Sequence, residues 1–129
     1  MSDEPDILLD AETEASIERA MAQATEVSPE MMAIEARFDA ATNMLIFVLA
    51  TGRRVAIPRE DIQGLATASD EDVAQIEIEM LGTALHWEKL NVDFSIEGLI
   101  TGRTGNRLWM EKLEEQRRRN AAAALSRTA

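Results

Sequence analysis

The sequence predicts an α+β domain: a small curved antiparallel sheet with flanking helices and a helical C-terminal extension. Three observations predict it. Apolar residues recur with a period of two over 33–58 and again over 76–87, the spacing that puts alternate side chains on one face of a strand. Short polar breaks at Asp39-Ala40-Ala41-Thr42-Asn43 and Thr51-Gly52-Arg53 separate the first three runs, and connections this short join antiparallel neighbours. Helical patterning flanks this region on both sides, before residue 30 and after residue 106.

Each element has its own signal. Ile17, Ala20, Met21 and Ala24 fall at i, i+3, i+4 and i+7, one narrow apolar stripe on a helix over 11–25, and Ser28-Pro29 punctuates its end. Ile34, Ala36 and Phe38 alternate with Glu35 and Arg37, a half-buried strand. Met44 to Leu49 is a β-rich apolar run, and Val55-Ala56-Ile57 forms a third strand closed by Pro58, which cannot donate to a ladder. Arg59 to Ala68 reads as one helical turn and a loop. Ser69 caps a short helix whose first turn holds Asp70, Glu71 and Asp72, where the macrodipole favours acids. Ile76, Ile78 and Met80 alternate with Glu77 and Glu79 as a fourth strand, and Gly82-Thr83 turns into a fifth at Leu85-His86-Trp87. A single helix over 70–85 competes with this hairpin, although Ile78 and Gly82 fit it badly. Asp93 to Ile100 reads as a turn and short helix with Ser95 as its cap. Residues 101–106 form a flexible joint, and from Arg107 the composition is helical.

Three segments follow: an acidic helical lead-in over 1–30, a core domain over 31–105, and an amphipathic to basic helical tail over 106–129. A chain of 129 residues makes one domain with one sizeable core, and no internal repeat divides it. Aromatics make up only 4%, so aliphatic residues and the seven methionines fill that core. The predicted core is Phe38, Leu45, Phe47, Val55, Ile57, Leu85 and Leu99.

The net charge is −11. A surface of that sign repels phosphate, which makes nucleic acid a less favoured partner and a basic protein a more favoured one. With no cysteine, disulfides, thiolate catalysis and thiolate zinc sites are excluded. The N-terminus is acidic where a signal peptide is basic, and no apolar run approaches the roughly 20 residues needed to span a bilayer. The expectation is a soluble cytoplasmic protein with no membrane partner.

The Gly52 turn, Val55-Ala56-Ile57-Pro58, Leu65-Ala66-Thr67-Ala68, Leu85-His86-Trp87, Asp93 and Gly98-Leu99-Ile100-Thr101-Gly102 stand in an order and spacing that resembles domain of unknown function 2442, a family of small bacterial proteins. The resemblance implies a compact α+β module of antiparallel strands with flanking helices. Many members are encoded beside small toxin genes, so it also implies an antitoxin-like role; the family carries no established activity. One subgroup continues into a Trp-Met helix and a basic, Gly-rich tail. Trp109-Met110 fits that subgroup, whereas Gln116 to Ala129 departs from its Gly-rich ending, which weakens any DNA-binding role inherited from it. The lead-in before Ala33 also lies outside the family pattern.

No residues at catalytic or cofactor spacing accompany this pattern. His86, the sole histidine, could serve as an acid or base, but only Glu88 and Asp93 are near in sequence and no nucleophile is apparent, so its role is structural or one of recognition. Trp87 should point to the opposite face and pack in the core. Asp93 is expected in a turn, capping backbone amides. Glu77, Glu79 and His86 do not have the spacing of a metal site, and Gly102-Arg103-Thr104-Gly105 is too short for a phosphate loop. The acidic lead-in and the tail are the expected contact elements, with the sheet domain as scaffold, and the tail offers the contact residues. Leu108, Trp109, Met110 and Leu113 make one apolar patch, expected to be covered across a homodimer or partner interface, with Trp109 either docked on the sheet or anchoring a partner. Arg117, Arg118 and Arg119 follow as a basic helix end that Glu114 and Glu115 can pair at i, i+4. The functional expectation is a non-enzymatic protein-interaction module, the antitoxin-like partner of a small toxin, with no cofactor and with self-association as a further outcome. A DNA-associated transcriptional regulator using the basic helix is the alternative.

Overall fold

The computed structural model describes residues 28–128 and Ala15; apart from Ala15, the helix expected over 11–25 lies outside them. Pro29–Met31 form a 3-10 turn capped by Ser28, whose Oγ accepts from the Glu30 amide at 3.2 Å. The meander then forms as its alternation requires. Strands β1 (Ala33–Asp39), β2 (Met44–Leu49) and β3 (Arg54–Pro58) pair antiparallel in that order, with Phe38 opposite Leu45, and Leu45 opposite Ile57. A bulge at Ile34 shifts the register between Ala33 and Glu35.

Arg59 organises the loop after β3. Its guanidinium donates to the Leu65 and Ala68 carbonyls at 3.3 and 2.6 Å, pairs with Asp70 at 2.9 Å, and stacks over the Phe38 ring at 5.5 Å. Helix α1 (Asp70–Val73) starts at Ser69, whose Oγ accepts from the Asp72 amide. It ends after one turn, which decides between helix and hairpin over 70–85. Strands β4 (Glu77–Glu79), β5 (Ala84–Trp87) and β6 (Val92–Ser95) form a second antiparallel sheet in that order. The β4–β5 connection runs through three left-handed residues, Met80, Leu81 and Gly82. Gly82 is required there, because a Cβ would sit 2.9 Å from the Ala33 carbonyl oxygen.

Two expectations change. The antiparallel strands divide into two three-stranded sheets, approaching each other along β1 and β4, where one curved sheet is expected. Residues 92–95 are a strand and not a turn: the tight turn at Asn91, with its left-handed φ of 52°, brings the chain straight back along β5. Ser95 caps the following helix α2 (Ile96–Ile100), as its position suggests, accepting from the Gly98 amide at 2.9 Å. Helix α3 (Arg107–Thr128) closes the chain.

Both sheets contribute to one core. Leu45, Phe47 and Leu49 from β2 pack with Leu85 and Trp87 from β5, and Ile62, Leu65, Val73, Ile96 and Leu99 from the connections complete it. Of the seven expected core residues, Leu45, Phe47, Leu85 and Leu99 are buried, while Phe38, Val55 and Ile57 are half-buried against them. Burying each such side chain contributes roughly 1.5–3 kcal/mol. The Trp87 indole N–H, inside the core, donates to the Val73 carbonyl at 2.9 Å, so its one polar atom is satisfied.

Candidate functional site

Two places concentrate polar and apolar groups beyond what the core uses. The first is the seat of α3. Asn106 caps the helix, its side-chain oxygen accepting from the Trp109 amide at 2.9 Å, and its own amide donates to Gln63 Oε1 at 2.7 Å. The Trp109 indole N–H donates to the Asp61 carbonyl at 2.9 Å. The Thr104 amide and hydroxyl donate to the Met110 sulfur at 3.4 and 3.5 Å. Arg117 reaches Asp61 at 3.5 Å. Gly105 permits this approach, since a Cβ there would clash with the Trp109 ring and lie 2.8 Å from Gln63 Oε1.

The apolar patch of the tail is thus divided. Trp109, Met110 and Leu113 are half-buried, and Trp109 docks on the chain's own Asp61 and Gly105 backbone; Leu108 is 60% exposed. The cover anticipated from a second subunit or partner is, for Trp109, the segment around Asp61. From residue 114 to 127 every residue of α3 is exposed. That length is held helical by neighbours on its own surface: Glu114–Arg118 at 3.7 Å, Glu115–Arg119 at 2.7 Å, and the Gln116–Asn120 hydrogen bond at 3.0 Å.

The second place is the outer face of the β4-β5-β6 sheet. Cross-strand pairing sets Glu77 opposite His86, and His86 opposite Asp93, on the face away from Leu85 and Trp87. His86 Nε2 donates to Glu88 Oε2 at 2.5 Å, and Nδ1 hydrogen-bonds Asp93. Hydrogen bonds first to Glu88 and then to Asp93 raise the imidazole from 6.5 to about 9, against a smaller desolvation and with added pull from the Asp93 and Glu79 charges. His86 is therefore an imidazolium at neutral pH, with both nitrogens donating. Trp87 and His86 do face opposite ways, but Asp93 sits on a strand facing His86 and not in a turn capping amides.

Glu79, His86 and Asp93 each bring one ligand atom to within 4.8 Å of the others, a set that could hold a cation. A metal would have to displace the imidazolium proton, because a ligating ring nitrogen must be deprotonated. At neutral pH that proton already occupies the ring nitrogen a metal would need. Glu79 and His86 are paired in the sequence and set aside there on spacing; the β4–β5 register, which follows the left-handed turn at Met80 and Leu81, brings them together, with Asp93 of β6 in the place considered for Glu77. Glu88 carried a signal, being two residues from His86.

A model for a family described as protein of unknown function, DUF2442, matches residues 33–105. The chain belongs to the DUF2442 family. The DUF2442 region runs from β1 to the joint before α3, so the His86 cluster lies inside it, while the lead-in and α3 lie outside. Two solved structures resemble the chain. One, a protein of unknown function from Rhodospirillum rubrum, is 40% identical, with a TM-score of 0.59 over 61% of this chain and 95% of its own. The other, an uncharacterised protein from Chromobacterium violaceum solved by NMR, is 29% identical, with a TM-score of 0.59 over 78% of this chain and 90% of its own. No curated protein matches the chain. Among the described residues, no helix is long and apolar enough to cross a membrane.

Proposed function

We propose that this DUF2442 protein is a non-enzymatic protein-interaction module whose contact element is the outer length of α3, and that it acts as the antitoxin-like partner of a small bacterial toxin. The observation that carries the proposal is the division of α3. Its first two turns are seated on Asp61, Gln63 and Thr104, and the exposed residues 114–127 that follow form a long helix held mainly by pairs on its own surface. A helix presented in this way suits recognition by a groove, where a partner covers one face. Leu108 and Leu125, 60% and 70% exposed, supply apolar contacts, and the Ala121 to Ala124 run permits close approach. The toxin as partner rests on the family resemblance. The absence of chemistry rests on His86, whose two nitrogens are engaged by carboxylates.

The DNA-associated alternative ranks second. Arg117, Arg118 and Arg119 each face a carboxylate of this chain, Asp61, Glu114 and Glu115 respectively, so phosphate would have to displace an existing partner from each. The test is coexpression of the full chain with the products of its adjacent genes, followed by copurification. A partner should copurify with the full chain and be lost on removing residues 117–129, a truncation that leaves Trp109 seated. Retention of the partner by the truncated chain overturns the assignment to α3. Tight duplex-DNA binding that weakens steeply with salt, with no protein partner, would replace it with the regulator reading.

A further inference from the structure

Strand β2 carries apolar side chains on both faces. Leu45, Phe47 and Leu49 enter the core; Met44, Ile46 and Val48 point the other way and are only half-buried. An antiparallel strand with one wet face alternates apolar with polar residues, whereas an unbroken apolar run is the pattern of a strand covered on both sides. Among the described residues, this second side has no cover. The register places Arg37, Ile46 and Ala56 in one row across it, and Glu35, Val48 and Arg54 in the next. Glu35, Arg37, Ile46, Val48 and Arg54 line a depression of about 220 Å³. Arg37 and Arg54 are exposed, and neither joins an ion pair among the described residues. The face is an apolar floor with two unneutralised cations beside it.

We propose that this face is the docking surface for the acidic lead-in of the same chain, residues 1–27, with the stripe Ile17, Ala20, Met21 and Ala24 laid on Ile46 and Val48. Charge complementarity selects this occupant. The lead-in carries eight acids and a single base, Arg19, whereas the depression offers two arginines and a single acid, Glu35. Attachment selects it as well. The lead-in joins the domain at Ser28, five residues before β1 begins, and Glu35 of β1 borders the depression. A helix over 11–25 is about 22 Å long at 1.5 Å per residue, and three strands spaced about 4.8 Å apart fall within that length. A helix this short and this weakly striped is marginal alone, and a surface of opposite charge supplies what it lacks.

The chain has no cysteine, so Ser16→Cys in the full-length protein provides a unique site for a nitroxide. With isoleucine and valine methyls isotope-labelled, the Ile46 and Val48 signals should be lost while the nitroxide is paramagnetic and return when it is reduced. Arg37→Glu combined with Arg54→Glu, both at exposed positions, should restore them without reduction. A mixture of isotope-labelled chains without nitroxide and nitroxide-bearing chains without isotope label should show no loss. Signals that persist beside the paramagnetic label overturn the proposal. So does loss in the mixed sample, which assigns the surface to a second copy, and so does loss that survives the double arginine reversal, which removes its electrostatic basis.

Discussion

His86 has the same residue type at its centre as many acid–base sites, yet its surroundings fix it in one protonation state. Its folded pKa of about 9 lies above the value of 6.5 for the free side chain. The stabilisation it contributes is therefore complete below pH 6.5 and disappears as pH rises through 9. Imidazole proton shifts followed by NMR should titrate near pH 9 in the wild type and move toward 6.5 in Glu88→Gln, with Asp93→Asn giving a further decrease. The melting temperature should fall between pH 6.5 and 9, and His86→Gln should remove that fall; a wild-type midpoint near 6.5 would refute the arrangement. At this scale alternation made much legible. It put Trp87 in the core and His86 on the other face, because neighbours on a strand point oppositely. It could not give the role of Asp93 or its convergence with Glu79 on His86, which depend on how three strands are set against one another.

At the scale of elements, local chemistry located those with strong punctuation. Ser69 and Ser95 marked helix starts, and Pro58 ended β3, because each satisfies or removes backbone donors at a fixed place. Strand β6 was illegible for the opposite reason. Val92 to Ser95 is only four residues, and Ser95 belongs to both strand and cap, so the cap signal masked the strand. The seat of α3 was half legible: Trp109 was readable as a docking residue, but its acceptor, the Asp61 carbonyl, is 48 residues away. Gly105 is the element's vulnerable point. Gly105→Ala should drive the indole from its place, costing roughly 1.5–3 kcal/mol of lost burial. In a Trp87→Phe background, a red shift of the remaining Trp109 emission would report the release, and an unchanged spectrum would contradict the packing described.

For the whole molecule, division into two sheets raises the question of whether they fold as one. Leu45 and Phe47 of the first sheet share a core with Leu85 and Trp87 of the second, so neither sheet retains a covered face when the other opens. A single transition is expected. In a Trp109→Phe background, Trp87 fluorescence and far-ultraviolet dichroism should give coincident urea curves; separated midpoints would show two independent units. Composition set the size of this core and the sign of the surface. It could not show that the strands would split three and three, because that division depends on which strands pair across the chain and not on how many apolar residues there are.

The bulge at Ile34 has a consequence for self-association. Met44 to Leu49 is six residues without charge, glycine or proline, the composition of a segment that stacks into fibrils. It occupies the middle of its sheet, with both ladders taken by β1 and β3. The outer edge of β1 is approached by β4 of the second sheet, is kinked by the bulge and carries Glu35, Arg37 and Asp39, which together discourage a further strand from adding there. Protection against amyloid-like growth therefore resides in the edge strand and not in the segment it shields: any substitution that frees β1 from β2 turns a loss of stability into a template for polymerisation.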